Sequence, residues 1–303
     1  MDLCQLLLIT PTLYLADQAS KREKQKLAQY SDREKTTAGV IDELDRSTAA
    51  LKTSIQNNTL YSAEITKKLL APLELYERNR DQNPKRNKAT QKREHYEEGR
   101  EDASSIGSFD ITNPEAFSID VDDELSPALV AEYLSTDFTL VVRSDIDQES
   151  RLDTSISYHE IVHAYQDYRL KSRVASGDSQ AMRTYMSLRE KTADSDERLI
   201  ISNEEEAYIM QMYVLNILSQ GRLEQEARSG TLTADSYMDL FHVQPSERSM
   251  LDFFLAVADA MYDSSTTIDT VSPIFRQYMV DHHRRAGRVP YDITPSGDIR
   301  IIP

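Results

Sequence analysis

The chain has 303 residues with 35 Lys+Arg against 51 Asp+Glu, a formal net charge of −16, 39% apolar residues, one cysteine and no tryptophan. That length can bury a sizeable core, the single Cys4 excludes an intrachain disulfide and a thiolate metal cluster, and the polar balance points to one compact domain with less densely packed segments beside it. Residues 1–100 hold 18 Lys+Arg against 15 Asp+Glu and residues 101–303 hold 17 against 36, so the second part repels a phosphate backbone and nucleic-acid binding is not expected of it.

The N-terminal LCQLLLITPTLYLA is apolar like the core of a secretory leader, but Asp2 stands where a positive charge belongs and Pro11 interrupts the run. These features favour a cytoplasmic protein and leave secretion open. No other stretch reaches the roughly 20 apolar residues of a membrane span. Residues 18–78 read as charged helices, because Val40, Leu44, Leu51 and Ile55, then Tyr61, Ile65, Leu69 and Leu73, recur at helical spacing. We expect an N-terminal helical region over 1–78 that packs as a hairpin, with binding of a protein partner as the alternative use of its apolar stripes. Residues 79–108 contain almost no large apolar side chain and read as a polar linker and domain boundary. The cluster Lys85, Arg86, Lys88, Lys92 and Arg93 within it reads as a solvated charge run.

From residue 109 the pattern changes. FDITNPEAFSIDVDD has short β-like pieces, SPALVAEYL reads as a short helix, and DFTLVVRSD (137–145) is the best strand in the chain. A helix with two histidines follows, then a helix near 179–191, a polar break at TADSDE and a strongly apolar helix at 203–219. Two more helices are expected near 246–262 and 271–286, and the tail VPYDITPSGDIRIIP suggests a hairpin turning at Ser296-Gly297. The expected fold class is α+β, mainly helical, over 109–303.

Chemistry concentrates in ISYHEIVHAYQDY, residues 156–168. In a helix, His159 and His163 lie one turn apart on one face and can aim two imidazole nitrogens at a point about 2 Å from each. Glu160 then sits beside that point, where it can take a proton from a metal-bound water whose pKa falls from about 16 towards 7. Ser157 with Glu160 also spells a capping box, S-x-x-E, in which the glutamate only ties down a helix start. A catalytic zinc needs a third protein ligand, and SNEEEAYIMQMYVLN (202–216) offers three glutamates. Capping can occupy Glu205 (with Ser202) and Glu206 (with Asn203), which is consistent with Glu204 as the ligand while the residues alone leave Glu205 open as the next choice.

Taken together, His159-Glu160-Ile161-Val162-His163 and Asn203-Glu204-Glu205-Glu206-Ala207 resemble the HExxH zinc metallopeptidases (zincins) of the gluzincin branch, with a thermolysin-type NExxA third-ligand motif. The likeness covers roughly residues 137–216. It implies a minimal zincin-like domain in which His159, His163 and Glu204 hold Zn²⁺, Glu160 is the general base, and Ala207 lets the two helices approach. It also implies that Phe138 to Arg143 form an edge strand that holds a peptide or protein substrate by main-chain pairing. A Tyr or His that stabilises the oxyanion would come from Tyr208, Tyr213, His242, Tyr278 or His282. The chain departs from the group in the longer gap between His163 and Glu204. It departs again at Tyr208, which stands where an Asp often supports a zinc-bound His; Asp167 is expected to supply that bond instead. The expected function is zinc-dependent hydrolysis of peptide bonds. The alternative is a catalytically inactive zincin-fold interaction module.

Overall fold

The computed structural model describes residues 37–82, 114–122, 130–134, 138–147, 150–190, 193–241, 248–263, 277, 291–293 and 299–301. The apolar N-terminal run, the basic cluster at 85–93 and, but for residue 277, the helix expected near 271–286 lie outside these residues.

The periodic apolar positions at the start of the chain fold as read. Helix α1 (Thr37–Gln56) buries Val40, Ile41, Leu44, Leu51 and Ile55, and α2 (Ala63–Gln82) buries Leu69, Leu73 and Tyr76. Between them the Asn58 side chain accepts the N–H groups of Leu60 and Tyr61, each at 3.2 Å, which satisfies two donors where the chain reverses. Helix α2 continues past the expected linker start at 79. There Asn79 donates to the Phe117 carbonyl at 3.0 Å and accepts its N–H at 3.1 Å, so this residue fastens the helix to the sheet.

Three strands form a mixed sheet in the order β1-β3-β2: β1 (Ser118–Val121), β2 (Ala131–Leu134) and β3 (Thr139–Val142). β3 runs parallel to β1 and antiparallel to β2, with Leu140 paired to both Ile119 and Tyr133. This corrects two expectations. The 138–143 segment is the central strand and not the edge, because Leu140, Val141 and Val142 are all fully buried, the unbroken apolar run of a strand covered on both faces. Residues 131–134 of SPALVAEYL are a strand and not a helix; their local preference is overridden by pairing with β3. Phe138 lies in the turn before β3 with φ +50°, a left-handed conformation that ends any strand there.

Helix α3 (Arg151–Ala175) is the hub. The Ser150 side chain caps it by accepting the Asp153 N–H at 3.2 Å. It stops in a Schellman motif: Gly177, at φ +86°, donates to the Val174 carbonyl and Asp178 to the Arg173 carbonyl, each at 3.0 Å. Around α3 lie α1, α2, β2, β3, α4 (Ser179–Glu190) and, with the most extensive contact, α5 (Ala193–Leu218). The last of these begins ten residues before the expected 203, taking in part of the polar TADSDE stretch. Helices α6 (Arg222–Arg228) and α7 (Ala234–Phe241), which no periodicity announced, lead to α8 (Arg248–Asp263).

One apolar cluster joins α1, α2, the sheet, α3, α5 and α8. The helices of the N-terminal region thus share a core with the two-histidine helix, and the Tyr158 hydroxyl on α3 donates to the Leu69 carbonyl on α2 at 2.9 Å. Their apolar stripes are used inside the protein. At the other end, β4 (Tyr291–Ile293) pairs antiparallel with β5 (Ile299–Ile301), as the expected hairpin requires. The fold class is α+β and mainly helical. Among the described residues no helix is long and apolar enough to cross a membrane.

Candidate metal centre

His159 and His163 occupy consecutive turns of α3 on the side that faces α5. Because α3 begins at Arg151, Ser157 lies inside the helix and its hydroxyl donates to the Asp153 carbonyl at 3.0 Å. Glu160 therefore has no capping duty. On α5 the same holds for residues 202–206, which sit well inside a helix that starts at Ala193. The capping roles expected for Glu205 and Glu206 do not exist. Glu205 is buried and outside the cluster, about 100° round the helix from Glu204, whereas Glu206 pairs with Arg169.

His159, His163 and Glu204 converge. The two Nε2 atoms are 3.1 Å apart, His159 Nε2 is 3.3 Å from Glu204 Oε2, and His163 Nε2 is 3.5 Å from Glu204 Oε1. Ligands held 2.0–2.1 Å from a tetrahedral zinc stand about 3.3 Å from one another, so this triangle has the dimensions of three zinc ligands. Among the described residues these three form a group able to hold a metal ion. The donor chemistry also fits: two imidazoles and one carboxylate leave a fourth position open. The Glu204 side chain is 25% exposed against 7% for His159. Ala207, three residues beyond Glu204 on the same helix, is fully buried.

The electrostatics of the triangle favour a cation. Burial pulls His163 down, but hydrogen bonding and charge from Glu204, with Glu160 behind, outweigh it and carry its pKa up to about 9. Burial pushes Glu204 up, and its bonds to the two histidines overcome that and hold it well below the usual carboxylate range. Glu160 is half-buried. Burial raises its pKa above the ordinary glutamate value, partly offset by the two histidines.

The partners of these residues come from three directions. Glu160 Oε2 accepts the Tyr133 N–H from β2 at 2.8 Å. That strand is an edge of the sheet among the described residues, and Tyr133 points its N–H outward because alternate residues, beginning with Val130, bond to β3. The support expected from Asp167 is absent from both histidines: Asp167 instead accepts the Tyr133 hydroxyl at 3.1 Å. His163 Nδ1 is bonded to Gln166 Oε1 at 2.8 Å, a partner sequence reasoning missed although its i+3 position was a signal. His159 Nδ1 is buried with no hydrogen-bond partner among the described residues, and the Tyr208 ring packs 4.4 Å from the His159 ring.

Of the expected oxyanion candidates, Tyr208 is thus beside the cluster. Tyr213 is not. Nine residues beyond Glu204, it emerges on the opposite side of α5 and packs edge-on against Tyr61 at 4.6 Å. His242, Tyr278 and His282 lie outside the described residues. Comparison of the chain with protein-family models, with curated proteins and with solved structures gives no match, so the reading of this centre rests on its own geometry and chemistry.

Proposed function

We propose that this protein is a zinc-dependent metallopeptidase of zincin type, with Zn²⁺ held by His159, His163 and Glu204. The single observation that carries the reading is the triangle of donor atoms, 3.1, 3.3 and 3.5 Å on its sides, contributed by two helices. When bound, zinc supplies Lewis acidity, which makes a water nucleophilic near neutral pH and polarises a carbonyl. The Glu160 carboxylate, steadied through Oε2 by the Tyr133 N–H, takes a proton from the attacking water and returns it to the leaving amine nitrogen. An extended peptide would lie along β2, the edge strand of the described sheet whose Tyr133 N–H reaches Glu160, and not along the central 138–143 segment.

A second reading, a zinc-bearing but non-hydrolytic interaction module of the same fold, is favoured by one observation. Among the described residues His159 Nδ1 has no acceptor of the kind that usually orients a zinc-ligating histidine, and loss of such a partner weakens activity as well as metal affinity.

Protein purified without chelator should hold about one zinc per chain, and His163→Ala should hold none. Glu160→Gln should keep zinc and lose cleavage of a mixed peptide library. Should that variant cleave as fast as its parent, the mechanism is wrong. If the parent binds zinc and cleaves nothing, the second reading replaces the first.

A further inference from the structure

We infer that Gln166 is the positioning residue of this centre, fixing the tautomer of His163 and the spacing of the two ligand-bearing helices through one buried amide. The inference rests on the metal-binding part of the reading above. Gln166 is 6% exposed. Its Nε2 is 2.8 Å from the Asn203 carbonyl oxygen and 2.9 Å from Glu206 Oε2. A carbonyl can only accept, and Glu206 Oε2 already accepts from Arg169. The amide therefore has one orientation, nitrogen towards α5 and oxygen towards α3; the reverse would set Oε1 against two acceptors.

That orientation decides a proton. Gln166 Oε1 can only accept, so His163 Nδ1 carries the hydrogen of their 2.8 Å bond. In the neutral ring, the form that can bind a metal, the lone pair is then on Nε2, the atom that faces His159 and Glu204. The same side chain grips the carbonyl of Asn203, the residue before Glu204. One amide thus sets both how His163 points and how near the Glu204 backbone stands. His159 Nδ1 has no comparable bond among the described residues, so Gln166 is the partner that fixes an Nδ1 hydrogen in the imidazole pair. The amide does this without adding a negative charge to the ligand sphere, which Glu204 already supplies.

The test is zinc affinity by chelator competition, with the melting temperature of each metal-free variant measured in parallel on the full chain. Q166L fills similar volume and removes all three bonds; zinc affinity should fall about 10–100-fold. Q166E keeps an acceptor for His163 Nδ1 but loses the Nε2 donor and sets a carboxylate against Glu206. Q166E/E206Q relieves that clash and places an amide opposite the new acceptor. Positioning predicts that Q166E/E206Q binds zinc more tightly than Q166E but less tightly than the parent, because the Asn203 carbonyl still lacks its donor. It also predicts that Q166E binds zinc more tightly than Q166L even where its metal-free form melts no higher. A merely structural role predicts that affinity follows melting temperature, with Q166E weakest.

Parental affinity in Q166L, or Q166E binding no better than Q166L, overturns the inference. Should Q166L not fold, the comparison of Q166E/E206Q with Q166E decides it in the same way. A parent that binds no zinc removes the metal reading and this inference together. A parent that binds zinc as tightly as Q166L removes this inference alone.

Discussion

Helix α3 has two unlike interfaces. Against α2 it belongs to the apolar cluster and adds one buried hydrogen bond, from the Tyr158 hydroxyl to the Leu69 carbonyl. Towards α5 it presents Ser155, His159, His163 and Gln166, four buried or half-buried polar side chains along one face, met by Gln211, Glu204 and Glu206. Burying such groups costs free energy unless each finds a partner, and among the described residues His159 Nδ1 and Gln211 Oε1 find none. The first interface is what a stable helix pair requires. The second is costlier than stability alone explains, and its polar atoms close on a point that a cation would fill. Stability and ligand binding should therefore be separable by substitution.

The largest effect is expected on the polar side. Glu204→Ala should take zinc content from about one per chain to near none, because two imidazoles do not complete a catalytic site. Glu205→Gln should keep zinc, since Glu205 is not in the donor group. Loss of zinc in Glu205→Gln with retention in Glu204→Ala, read by metal analysis, would reverse the ligand assignment. On the apolar side, Leu44 is fully buried in α1, and Leu44→Ala should cost about 2–5 kcal/mol in urea unfolding. The fraction that remains folded should bind zinc with parental stoichiometry. Lost zinc in that folded fraction would mean that the hairpin shapes the centre and does not merely support it.

The same contrast governs what the sequence made legible. The apolar stripes of α1 and α2 are local, period-3.6 signals, and Val40, Leu44, Leu51, Ile55, Leu69 and Leu73 are all buried as read. The histidine pair is legible for the same reason, being an i, i+4 relation within one helix. Glu204 is harder, because its part depends on a second helix 41 residues further along the chain than His163; the residue pattern alone left Glu205 open and only the resemblance ranked them. What failed is non-local. AEYL becomes a strand by pairing with β3, and β3 becomes central because β1 joins it from an earlier part of the chain. The three consecutive buried residues 140–142 were the available sign of a central strand, since an edge strand with a solvated face would alternate. Gln166 was overlooked because a lone glutamine has no motif, and its meaning lies in three acceptor and donor atoms that only the folded chain assembles.

The smallest effect gives the sharpest comparison. Tyr158 is adjacent in sequence to the proposed ligand His159, yet its hydroxyl serves the α2 interface. Tyr158→Phe removes one donor from the Leu69 carbonyl. The cost should be that of one neutral buried hydrogen bond, about 1 kcal/mol in urea unfolding. Zinc affinity should stay within a few-fold of the parent, because about 100° of helix rotation separates Tyr158 from His159. A loss of affinity comparable with that expected for Q166L would show that the two faces of α3 are coupled. The hydroxyl would then set the rotation of the helix about its own axis, and with it the aim of both imidazoles.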